Sequence, residues 1–476
     1  MRKAILINFT TKYSVAMIQL IINLVLARLI SPQEFGVVAI ITVFSNFFIL
    51  FSDMGIGASI IQMKELRQKD YNNIFSFTFY AGILLMIGFI GAGHILALVY
   101  QNNVYILLGR ILSISIFFST LNIVPNAVLL KEQRFTEIGI RTALVSLISG
   151  IITVILAILD YKYYAVVIFT VFQIILSFVW NMSRISLRFS FKFKFDSVEK
   201  IFGYSFYQLL FNVTNYFVTN SDTLLVGKFL GEENVGLYNK SYQLMTYPVS
   251  MFSGAITPAL HPVLSNYQFD KEKMYDYLVK IFRILIYFSI FISSICFFAS
   301  REIISILYGR EWSSATSSFQ LLSLSIVTKM CNSITGSFYQ SLGKVNLLFR
   351  IGLINGLLIL GFTMIGVSSG TIEGVSLFIA IGYMLSFWIA FYFLIKKAFE
   401  KKFSVFLEIA GKPYLIYIIL LCITHFYSIT IDNIVGSLIV KTVILTGSYL
   451  LLLLGFREYH NFKNTCGILF QMKWRK

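Results

Sequence analysis

Apolar runs of about 20 residues recur along the chain without period-two alternation, which predicts membrane-crossing helices rather than barrel strands. They fall near residues 9–30, 36–58, 74–100, 104–128, 138–160, 163–183 and 202–230, then 236–260, 277–299, 315–338, 345–366, 372–395, 411–429 and 432–456. The expected fold class is all-α, a polytopic membrane protein with about 14 transmembrane helices.

Charge placement gives the expected orientation. An even number of spans puts both termini on one side, and the positive-inside rule identifies it. Nine of the 39 Lys and Arg (Arg28, Arg110, Lys162, Lys228, Lys240, Arg301, Arg310, Lys329 and Lys441) lie near outer edges or inside spans; the remaining 30 fall on the side of the termini. The prediction is a bacterial inner-membrane protein with cytoplasmic termini. The first helix acts as the targeting signal, because no A-x-A-like cleavage site follows Arg2 and Lys3.

Composition narrows the classes further. A chain that is 57% hydrophobic and 13% charged, with mean hydropathy +0.78, cannot be a soluble multidomain protein. The net charge of +17 raises the question of nucleic acid, but these cations sit mostly in loops between spans and read as a topology signal. No nucleic-acid partner is expected. The four cysteines and four histidines are scattered, so neither a disulfide framework nor a metal site is expected.

An internal repeat organises the spans. Residues 27–36, Ala-Arg-Leu-Ile-Ser-Pro-Gln-Glu-Phe-Gly, resemble residues 227–236, Gly-Lys-Phe-Leu-Gly-Glu-Glu-Asn-Val-Gly, at a shift of 200. Leu98-Val99-Tyr100 is echoed by Ile306-Leu307-Tyr308. An even number of spans separates the copies, so two parallel six-helix lobes follow, with substrate expected between them. The expected organisation is an N-terminal lobe over 1–183, a basic cytoplasmic linker over 184–200, a second lobe over 201–397, and two further helices with a cytoplasmic tail over 398–476.

Polar residues inside spans carry the functional argument. Gln208, Asn212, Asn215, Thr219 and Asp222 lie within roughly 80° of one helix face. Subtracting 200 gives Asn8, Lys12, Val15, Gln19 and Ile22, so three of the five polar positions recur on the first span. The eighth span shows a row including Asn239, Gln243, Thr246 and Ser253, and the second keeps Asn46 and Asp53 at positions matching Thr246 and Ser253. These faces either line a hydrated cavity or serve as interhelical glue worth on the order of 1 kcal/mol per contact. Asp222 favours the cavity, because an intramembrane carboxylate needs water or a partner. Asp53 is an ion-coupling candidate or a local cap near Gly55 and Gly57. Lys329, mid-span, faces the cavity or pairs with an acid, and Arg110 lies about two turns into its span.

Three blocks then carry a family resemblance: residues 221–231 with 235–244 and Pro258, Leu307-Tyr308-Gly309-Arg310-Glu311-Trp312, and Gln340-Ser341-Leu342-Gly343. The chain resembles polysaccharide flippases of the multidrug/oligosaccharidyl-lipid/polysaccharide exporter superfamily, in the branch similar to O-antigen, colanic-acid and teichuronic-acid repeat-unit exporters. The resemblance implies alternating access that moves an undecaprenyl-pyrophosphate-linked glycan outward. It also implies that spans 13 and 14 accommodate the lipid tail, and by analogy that polymerases and chain-length regulators are partners. No cofactor is expected beyond a coupling proton or sodium ion, for which Asp222 and Asp53 are candidates. Amides suit sugar hydroxyls, and Lys12, Arg110 and Lys329 suit a pyrophosphate. The rivals are a multidrug or cation antiporter of the same fold, whose cavity should be acidic and aromatic, and a membrane glycan polymerase or glycosyltransferase. An enzyme is not expected, because no span-to-span loop exceeds about twenty residues and no catalytic set or phosphate-binding motif is found.

Overall fold

A computed structural model describes residues 2–53, 55–63, 65–191, 213, 216–217, 219–265, 267, 270–426 and 431–463; within it the side chains of 2–13, 255, 258–259, 261–263, 265 and 425–426 are not described. The described chain is helical, with α1 (Arg2–Leu29), α2 (Pro32–Asp53), α3 (Ile56–Gln62), α4 (Gln68–Tyr100), α5 (Val104–Lys131), α6 (Phe135–Ile158) and α7 (Tyr163–Arg184). After a further helix, α8, over 219–230 come α9 (Glu232–Ser265), α10 (Lys271–Phe298) and α11 (Ser300–Leu307). The chain continues with α12 (Ala315–Ser323), α13 (Ser325–Asn332), α14 (Thr335–Ser341), α15 (Val345–Ser368), α16 (Ile372–Phe393), α17 (Phe403–Phe426) and α18 (Ile434–Gly455).

The chain is a multi-pass membrane protein. Among the described residues ten helices are long and apolar enough to cross a bilayer. The four remaining expected spans correspond to α1, the segment ending in α8, α9, and the stretch occupied by α12 to α14. The first three are those on which sequence placed the polar rows, and residues 202–212, 214–215 and 218 of the second of them lie outside the described set.

The fourth, expected over residues 315–338, is helical through α12, α13 and α14; the turns between them, at Leu324 and at Ser333-Ile334, keep right-handed helical backbone angles.

Helix starts follow local chemistry. Ser31-Pro32-Gln33-Glu34 forms a capping box at α2: the Ser31 amide donates to the Glu34 carboxylate at 3.0 Å and the Glu34 amide to Ser31 Oγ at 3.4 Å, with proline at the first helical position. Asp270, Thr371 and Asn433 cap α10, α16 and α18 in the same way.

Two compact units divide the chain, 1–236 and 237–476. In the first, α4 and α5 form an antiparallel hairpin, α7 packs on α5 and α6, and α1 packs on α6. In the second, α15 and α16 pair, α10 contacts α12, α13, α17 and α18, and α16 lies against α12 and α13. Sequence puts a lobe boundary at 184–200, whereas α8 and the first residues of α9 group with the first unit.

Within that first unit the repeat is visible in backbone contact. A Cβ added at Gly36 would overlap the Glu232 carbonyl oxygen, and one added at Gly236 would overlap that of Pro32. Under the 200-residue shift 32 maps to 232 and 36 to 236, so the contact is reciprocal. Only glycine permits this approach. Replacing Gly36 or Gly236 with Ala is expected to cost about 1–3 kcal/mol through overpacking. The loss should be read as a lower thermal midpoint in detergent, while Gly361→Ala, whose added Cβ meets nothing within 4 Å, should not lower it.

Candidate functional site

The α9 row brings Asn239 and Gln243, both half-buried, to the face that also carries Tyr242. Lys329 projects from α13 to that tyrosine. Its ammonium donates to the Tyr242 hydroxyl oxygen at 2.8 Å, and the Tyr242 and Tyr383 hydroxyls share a hydrogen bond at 2.7 Å, Tyr383 coming from α16. Lys329 Nζ also lies 4.6 Å from the Tyr242 ring centroid and 4.1 Å from that of Tyr383. Among the described residues it forms no ion pair with a carboxylate. The sequence left open whether an acid pairs with Lys329; two phenols hold it instead.

Magnitudes indicate what such a site can do. Removing an ammonium from water costs several kcal/mol. Two ring faces return about 0.5–2 kcal/mol each and a charge-assisted hydrogen bond about 1.5–3 kcal/mol. The cation is therefore held in place, and among the described residues no carboxylate pairs with it.

A second uncompensated cation sits in the first unit. Arg141, buried on α6, donates from one terminal nitrogen to Asn126 Oδ1 at 3.0 Å and to Asn181 Oδ1 at 2.6 Å. Asn181, from α7, donates in turn to Asn122 Oδ1 at 2.8 Å, so four side chains tie α5, α6 and α7 together. Arg141 Nε is buried without a partner. The sequence reading counted this arginine among the cations on the side of the termini; it lies about two turns into α6.

The other predicted residues are placed as follows. The side chain of Lys12 and all of Gln208, Asn212 and Asn215 lie outside the described residues. Gln19, Asn46, Arg110 and Thr219 are exposed, on α1, α2, α5 and α8. Asp222 is buried and accepts from the Thr223 amide at 2.7 Å. Asp53 accepts from the Gly57 amide at 3.2 Å, a local cap at the end of α2. No side-chain hydrogen bond joins Gln19, Asn46, Arg110 and Asp53 to one another among the described residues. No cluster of three or more potential metal ligands occurs there either.

Over residues 25–317 the sequence matches the polysaccharide biosynthesis protein family. The chain belongs to that family. It is similar to the teichuronic acid biosynthesis protein TuaB of Bacillus subtilis (strain 168), at 22% identity covering 76% of each chain. It is also similar to the lipopolysaccharide biosynthesis protein WzxC of Escherichia coli (strain K12), at 22% identity covering 86% of this chain and 84% of that one. The fold is similar to that of a solved structure of lipid II flippase MurJ, described as inward closed, with TM-score 0.74 and 17% identity over 96% of this chain and 99% of that one. A multidrug resistance MATE family transporter of the MOP superfamily, inward-facing, gives TM-score 0.60 and 16% identity over 80% and 93%.

Family membership does not single out the groups that surround the cations. Tyr242 and Tyr383 were missed in the sequence although Tyr242 adjoins Gln243; an aromatic next to a polar row was the available signal. For the arginine network, Asn122 and Asn126 one turn apart were the corresponding signal. Asn181→Leu removes an acceptor from Arg141 and a donor from Asn122. The expected loss is about 1–3 kcal/mol, measured as a lower unfolding midpoint of the purified chain, whereas Ser183→Ala, on an exposed position, should leave it unchanged.

Proposed function

We propose that this chain is a flippase that carries an undecaprenyl-pyrophosphate-linked oligosaccharide repeat unit from the cytoplasmic to the outer leaflet by alternating access. The observation that carries the reading is Lys329, a cation inside a membrane bundle with tyrosines in place of an acid among the described residues. A pyrophosphate is the chemical partner such a site lacks, since phosphate oxygens accept strong charge-assisted hydrogen bonds from an ammonium. Amides of the α9 row, Asn239 and Gln243, offer both donors and acceptors to sugar hydroxyls.

The relatives support the same class: another is the succinoglycan biosynthesis transport protein ExoT of Rhizobium meliloti (strain 1021), at 21% identity over 90% of this chain. In this reading the protein sits in the bacterial inner membrane with cytoplasmic termini, as the loop cations require. Asp222 and Asp53 remain the ion-coupling candidates, for a proton or sodium ion. Polymerases and chain-length regulators are the expected protein partners. A cation antiporter is disfavoured by the positive charge at Lys329, and an enzyme by the lack of any catalytic constellation in the sequence.

Lys329→Met tests the proposal in cells that depend on this exporter for surface glycan. Loss of one charge-assisted contact of about 1.5–3 kcal/mol should weaken substrate engagement by about ten- to a hundredfold. Surface glycan should fall while the amount of membrane-inserted protein stays constant. Full glycan display by this variant would refute the role of Lys329.

A further inference from the structure

A second ligand site lies in the 237–476 unit, apart from Lys329. Glu458, three residues beyond α18, is buried; its carboxylate accepts from the Tyr287 hydroxyl at 2.6 Å and from Asn461 Nδ2 at 2.7 Å. The Tyr449 hydroxyl donates to the Tyr287 carbonyl at 3.0 Å, and the Tyr449 and Phe462 rings meet at 6.2 Å. These contacts clamp the segment after α18. Between it, α10 and α17 opens a pocket of about 620 Å³.

The charges in this pocket come in balanced pairs. Arg283 from α10 and Lys412 from α17 are the cations, and Glu408, one turn before Lys412, and Glu458 are the anions. Burial pushes the Glu458 carboxyl up, but hydrogen bonds from Asn461 and Tyr287 and the nearby Lys412 and Arg283 charges outweigh it and keep its pKa below the ordinary value. The acid is therefore ionised at neutral pH. Lys412 approaches Glu458 only to 3.7 Å and its side chain is 57% exposed, so the ammonium remains open to a ligand, while Glu458 presents only the oxygen that faces Lys412. Arg283 makes no hydrogen bond or ion pair among the described residues.

An apolar track leaves the pocket along α17. Leu407, Gly411 and Leu415 line it at intervals of four, and Ile418 continues the face; Leu407, Leu415 and Ile418 are 45%, 51% and 53% exposed. A Cβ at Gly411 would meet nothing within 4 Å, so the glycine leaves an open notch. Leu407, Gly411 and Leu415 thus form the apolar wall of the pocket itself, and Ile418, roughly 5 Å further along the helix, extends it.

We propose that this pocket binds a phospholipid with a phosphoethanolamine headgroup. The phosphate meets Arg283 and Lys412, the ammonium meets Glu458 and Glu408, and an acyl chain follows the α17 track. Charge balance argues against a purely anionic occupant, which would face two carboxylates. None of the lining residues is aromatic, so a quaternary ammonium finds no π face, whereas a primary ammonium can donate up to three hydrogen bonds.

Native mass spectrometry of the purified full-length protein tests this, titrating phosphatidylethanolamine, phosphatidylcholine, phosphatidylglycerol and a polyprenyl pyrophosphate. Phosphatidylethanolamine is expected to bind about tenfold more tightly than the other two phospholipids, a difference of about 1.4 kcal/mol. Arg283→Gln should erase that preference. Gly411→Phe, which enters open space, should fold normally and lose binding, so it carries the test even where Arg283→Gln unfolds. Equal binding of the three phospholipids, a preference for phosphatidylglycerol, or unchanged binding in Gly411→Phe would overturn the proposal. So would displacement of the phospholipid by polyprenyl pyrophosphate, since the pocket would then serve the transported lipid.

Discussion

An ammonium in the interior of a membrane protein must be satisfied by something, and the choice of partner decides what the site can bind. At Lys329 the partners are a phenol oxygen at 2.8 Å and two ring faces within 5 Å. A carboxylate would have neutralised the charge and closed the site to anions. Tyrosines hold the side chain in position and leave the charge standing. The constraint reaches back to the backbone: three elements, α9, α13 and α16, each contribute one member, so this corner of the unit depends on their mutual packing.

The same logic recurs in the first unit with different chemistry. Arg141 is held by neutral amides, and the network spans α5, α6 and α7. Other buried charges are held in other ways. Lys441 on α18 meets Glu302 on α11 at 2.7 Å, and Ser437 donates to the same carboxylate oxygen, which fastens α18 to its unit. Lys240, buried on α9, lies over the Tyr308 ring at 5.5 Å.

Fold class was legible because apolar runs of bilayer length leave few alternatives. The repeat was legible because two glycines 200 residues apart are required where helix N-termini touch, and the reciprocal contact of Gly36 and Gly236 is the physical cause of that pattern. Lys329 stood out as an isolated intramembrane cation, but its tyrosine partners lie 87 and 54 residues away along the chain, and no local pattern joins them. Arg141 drew no attention because a cation near a helix start reads as a topology signal, and its amide partners come from two other helices, α5 and α7.

Under the proposed function, the charge at Lys329 is kept for an anionic headgroup. Equilibrium binding of a polyprenyl pyrophosphate and of the uncharged polyprenol to the purified protein, compared between the native chain and Lys329→Met, tests it most directly. The account predicts that the native chain prefers the pyrophosphate and that the substitution removes most of that preference while polyprenol binding is unchanged. An equal preference in both proteins would contradict it.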